Sequence, residues 1–163
     1  MKISKLTKLG LLISLALILS FVEAQIPPLT AIPGIKLGLP NAAIVFVLYA
    51  VGAWEAAAVS LIRILLVSVL FGSLMSLWYS AAGAVFSLAV MILLKKSRRF
   101  SCVTVSTVGG VCHNIGQIIA ACLITRTAEL LYYLPVLLLS GTVAGVLIGL
   151  LSGIILKRME HHI

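Results

Sequence analysis

Gly109-Gly110-Val111-Cys112-His113-Asn114-Ile115-Gly116-Gln117 stands in the middle of an apolar run from Cys102 to Ile124. Hydrocarbon offers no partner to an imidazole or a carboxamide, and burying such groups unpaired is costly. These three side chains therefore face other helices or a polar cavity. A polar cluster inside a membrane span is by default a candidate functional site. At about 100° per residue, Ser106, Gly110, His113 and Gln117 share one narrow face, with Asn114 beside it.

The rest of the chain reads as the container for that cluster. It has 163 residues, of which 62% are hydrophobic and 10% charged, and a mean hydropathy of +1.25. Soluble domains carry about 25% charged residues, so the composition is that of an all-α integral membrane protein. A spanning helix needs ~20 residues; the length fits five or six spans in one membrane domain, with no separate soluble domain. The net charge of +8 does not signal nucleic acid, because the basic residues stand at the ends of apolar segments, where orientation signals belong. Cys102, Cys112 and Cys122 form no Cys-x-x-Cys pair and read as small buried apolar residues.

Helices are expected at about 6–24, 41–53, 56–74, 77–94, 101–124 and 135–156, with a proline-rich loop at 25–40. Residues 1–24 have two readings. Lys2, Lys5 and Lys8 before an apolar run, followed by Val22-Glu23-Ala24, resemble a cleaved signal peptide. The small residues Gly10/Ser14 and Ala16/Ser20/Ala24, four apart, suit a first helix that packs closely on a neighbour. The loop holds four of the five prolines and is either a connector or a lid. Asn41 is expected to cap the second helix after Pro40. Arg63 is expected either to snorkel to the nearer membrane face or to pair within the bundle, with Glu55 as the candidate partner. Ser76, Ser80, Gly83 and Ser87 form a small-residue stripe, as do Gly141, Gly145, Gly149 and Gly153, which recur every four residues.

The distribution of Lys and Arg gives the topology. Lys2, Lys5, Lys8, Lys95, Lys96, Arg98, Arg99, Lys157 and Arg158 fall on one side, and Lys36 and Arg126 on the other. The positive-inside rule then puts both termini in the cytoplasm. The cluster opens toward the outer side, beneath the proline-rich loop.

Catalysis has little to work with. The four acidic residues, Glu23, Glu55, Glu129 and Glu160, are scattered, and the chain has no Asp. There is no magnesium-binding acidic motif, no metal-ligand set, no phosphate-binding Gly-rich loop and no nucleophile elbow. No cofactor is expected. Apolar walls with a few convergent polar groups describe a small-molecule pocket, and His, Asn and Gln supply donors and acceptors without fixed charge. The expected ligand contacts are His113, Asn114 and Gln117, then Asn41 and Ser80. Lys36 and Arg126 are placed to meet an anionic group on the ligand. The competing reading is that the cluster only joins helices. A channel-like oligomer fits less well, because one polar cluster does not line a continuous pore.

The segments Pro33-Gly34-Ile35-Lys36-Leu37-Gly38-Leu39-Pro40-Asn41, Arg63 with Phe71-Gly72, His113-Asn114-Ile115-Gly116-Gln117 and Tyr133-Leu134-Pro135 with its following glycines resemble the heptaprenyl diphosphate synthase component I family, also called the Gx transporter family. That family is similar to the S components of energy-coupling factor (ECF) transporters. The resemblance implies a six-transmembrane-helix bundle of ECF S-component type in the plasma membrane, with an outward pocket gated by the first outer loop. It implies a small-metabolite substrate, a membrane coupling subunit and two cytoplasmic ATPases as partners, with Ala16 and Ser20 contacting the coupling subunit. The family name implies instead a membrane accessory subunit of isoprenoid synthesis. Such a subunit would be non-catalytic, since a prenyl synthase needs acidic magnesium ligands that this chain lacks.

Overall fold

The computed structural model describes residues 3–26 and 38–160. Among them six α-helices follow in order: α1 Ile3–Gln25, α2 Leu39–Ala50, α3 Ala53–Leu70, α4 Leu74–Lys96, α5 Cys102–Thr125 and α6 Leu134–Glu160. A 3-10 helix, Ala128–Tyr133, leads into α6 where an outer loop was expected. Five of these helices are long and apolar enough to cross a membrane, and the chain is a multi-pass membrane protein. Val69, Leu74 and Leu123, 82%, 79% and 74% exposed, face outward as lipid-facing side chains do.

The helix boundaries follow from local capping. The turn between α3 and α4 is Phe71-Gly72-Ser73, which the sequence reading had left inside the third helix. Ser73 accepts a hydrogen bond from the Ser76 amide at 3.1 Å and so starts α4 three residues earlier than expected. Gly72 lies where an added Cβ would stand 2.8 Å from Ser68 Cα. Ser101 starts α5 in the same way, accepting from the Thr104 amide at 3.1 Å.

The short helix α2 sits at the centre of the bundle. Its 12 residues span about 18 Å at 1.5 Å per residue, well short of a bilayer. Protein rather than lipid surrounds it: Val47 and Leu48 are fully buried and Val45 is 2% exposed. The core around them draws on Ala16, Ala56, Val59, Leu88, Met91, Val105 and Ile148. The ends of a helix leave amides and carbonyls without partners, and here other helices supply them. The Glu23 carboxylate, from α1, accepts from the amides of Gly38 and Leu39. At the other end the Lys95 ammonium, from α4, donates to the Leu48 carbonyl and lies 5.1 Å from the centre of the Tyr49 ring. An acid at the amino end and a base at the carboxyl end both match the helix dipole. The cap is therefore not Asn41. The N-cap position belongs to Gly38, whose φ of 74° is left-handed and whose added Cβ would stand 3.1 Å from Ile148 Cδ1.

Helices α4, α5 and α6 meet through small residues. An added Cβ on Gly116 would lie 2.9 Å from the Ala82 carbonyl oxygen, and one on Gly145 would lie 2.6 Å from Thr107 Cα. Ser87 Oγ donates to the Gly109 carbonyl at 2.7 Å. Gly141, Gly145 and Gly149 all press against α5, whereas Gly153 has open space beside it. Three of the four glycines in the expected stripe are thus packing positions.

Candidate functional site

Where α2 begins, the bundle leaves a cavity of about 100 Å³ lined by residues of all six helices. A single water needs roughly 10–15 Å³ on that measure, so the space accommodates a small molecule. It runs beside the first two turns of α2, from Pro40 to Val45, and reaches Met91 of α4 and Ser106 of α5.

One wall is the α5 face read from the sequence. Ser106, Gly110, His113, Asn114 and Gln117 all line the cavity. Close packing of α4 on α5 sets two of these side chains in place. Gly83 is the reason: an added Cβ there would lie 2.7 Å from Gln117 Cγ and 3.1 Å from His113 Cε1. Asn114 is held from the other side, its Nδ2 donating to the Leu137 carbonyl of α6 at 2.5 Å. An added Cβ on Gly141 would fall 2.7 Å from that nitrogen. Asn114 therefore both joins two helices and faces the cavity. Asn41 and Ser80 complete the expected residues that the structure brings together.

The remaining expectations fare differently. Lys36 and the rest of the proline-rich loop from Pro27 to Leu37 lie outside the described residues. Arg126 is not among the cavity residues. It ends α5 as a left-handed C-cap with φ 54°, and its side chain is exposed. Ala16 is fully buried and Ser20 is 6% exposed. Ser20 Oγ donates to the Ala16 carbonyl one turn earlier in α1 at 2.8 Å. Gly10 and Ser14 face outward instead.

Two charged residues that the sequence reading had not placed at the site belong to it. Arg63 is 9% exposed and lines the cavity; it does not snorkel. The charge facing it is Glu23 of α1, where Glu55 had been expected. Glu55 lies near the backbone of Gly52, in the first turn of α3. Glu23 also lines the cavity, so the residue read as part of a cleavage site ties α1 to the start of α2. Ser60 and Ser87, 5% and 6% exposed, complete the polar lining. Ser60 lies three residues before Arg63, hence on the same helical face, which was the available signal.

The geometry defines a class: a helical membrane protein whose bundle holds a small, partly open cavity lined by Glu23, Arg63, His113 and several carboxamide and hydroxyl groups. No group of three or more His, Cys, Asp or Glu residues suited to a metal occurs among the described residues. Residues 12–155 match the family described as heptaprenyl diphosphate synthase component I, and the chain belongs to that family. No curated protein and no solved structure matches it.

Proposed function

We propose that this chain is the substrate-binding membrane subunit of an ATP-driven importer of the energy-coupling factor type, acting on a small metabolite. The observation that carries this reading is the cavity in which His113, Asn114 and Gln117 converge with Arg63 and Glu23 inside an otherwise apolar bundle. Apolar walls with a few placed polar groups are how proteins hold small molecules. In this reading α2 counts as a sixth, half-length span, both termini lie in the cytoplasm, and the cavity opens to the outside of the cell membrane. The chain has no ATP-binding motif, so energy comes from two cytoplasmic ATPases through a membrane coupling subunit. With Ala16 and Ser20 buried, a partner helix would approach α1 on its Gly10–Ser14 face.

The family description favours a second reading, a non-catalytic accessory subunit of heptaprenyl diphosphate synthesis. Affinity purification from native membranes separates the two. Transport predicts copurifying ATPases and a coupling subunit, and ATP-dependent uptake when they are reconstituted together. Prenyl transfer restored by mixing with a soluble, Asp-rich synthase subunit, without copurifying ATPases, would overturn the transport reading.

A further inference from the structure

We propose that Arg63 is the ligand-recognition residue of this cavity and that the ligand carries an anionic group, a carboxylate or a phosphate. The proposal deepens the binding reading above and rests on it. A second cavity, of about 140 Å³, lies against the first and shares Glu23, Pro40, Arg63 and Ser80 with it. It extends toward the α3–α4 turn at Phe71, Gly72 and Ser76. Arg63 thus stands where the two spaces meet, and a ligand arriving from that turn reaches the guanidinium before it reaches His113 and Asn114.

The charge balance points the same way. A buried cation needs a counter-charge and hydrogen-bond acceptors, because desolvation is costly. Arg63 is more than nine-tenths buried, and its Nε has no hydrogen-bond partner among the described residues. The acid facing it, Glu23, is already engaged, since its Oε1 accepts from two amides at the start of α2. That helix end itself carries a positive partial charge. Among the described residues, no other Lys, Arg or acid lines either cavity. One carboxylate therefore serves both a guanidinium and a helix amino end. An incoming anion adds an acceptor and a charge where both are short, whereas a cation would be placed beside Arg63. A guanidinium also suits either group, since its fork accepts carboxylate and phosphate oxygens in pairs.

The test uses purified full-length protein in detergent and measures thermal stabilisation at matched ionic strength. The probes are propionate and methyl phosphate, with propionamide as the neutral and propylammonium as the cationic counterpart. One or both anions should raise Tm while the counterparts do not, and whichever anion acts identifies the group as carboxylate or phosphate. Arg63→Gln should weaken that anion's apparent Kd by roughly 10- to 100-fold, and Arg63→Lys should retain part of the effect. If Arg63→Gln does not fold, Glu23→Gln/Arg63→Gln removes the buried Arg63 charge together with the half-buried acid facing it and should fold without anion selectivity. Equal stabilisation by anion and amide, or anion selectivity surviving loss of Arg63, would overturn the proposal. So would recovery of a neutral or cationic ligand from the cavity, which leaves the transport reading standing; absence of ATPase partners would instead sink that reading.

Discussion

At the residue scale, Glu23 and the α5 face show what a single sequence reveals and what it hides. Ser106, Gly110, His113 and Gln117 were legible as one face because helical spacing is local and polar residues stand out against an apolar run. Glu23 was not, because its partners are the amides of Gly38 and Leu39 and its charge acts on Arg63, and nothing in the local pattern announces a contact across that much chain. Arg63 was visible as an anomaly, but its partner was not. The structure makes Glu23 an anchor, and a stability measurement checks this. Glu23→Ala leaves two amides at the half-buried start of α2 without their acceptor and Arg63 uncompensated, and should lower stability by about 2 kcal/mol in a denaturation series in detergent. Glu23→Gln keeps an oxygen for the amides and should lose less. Equal stability of wild type and Glu23→Ala would show that α2 does not depend on this cap.

At the scale of elements, periodicity carried most of the information. The glycines of α6 announced close packing because small residues every four positions let backbones approach. The period alone did not say where the contact ends. Gly145 faces Thr107 Cα across a gap that a Cβ would close to 2.6 Å, while Gly153 meets nothing within 4 Å. Gly145→Leu should therefore separate α5 from α6 and cost more than the ~1–3 kcal/mol usual for overpacking. Gly153→Ala should leave thermal stability unchanged or slightly raised, by helix propensity. Similar losses from both would mean the α5–α6 seam runs further than described. The short helix α2 was harder to place. An apolar segment of 12 residues has much the same composition whether it is a tilted span or a buried core helix, and only the helices packed around it decide. Its caps come from α1 and α4, so no local cap signal marked its true start at Leu39.

At the scale of the whole molecule, composition was enough to give a helical membrane protein, because a chain this apolar cannot expose its surface to water. The cavity was only half legible. Its α5 wall followed from spacing, but its other walls come from α1, α2, α3, α4 and α6, which only the packing of the bundle brings together. The account stands on the claim that this space holds a small molecule. Mass spectrometry of small molecules extracted from protein purified out of its native membranes tests it most directly, comparing wild type with Asn114→Ala/Gln117→Ala. The account predicts one compound recovered in near-stoichiometric amount from the wild type and lost from the double variant, with both proteins folded by circular dichroism. The same compound retained at the same occupancy by the folded double variant, or no compound from either protein, would contradict it.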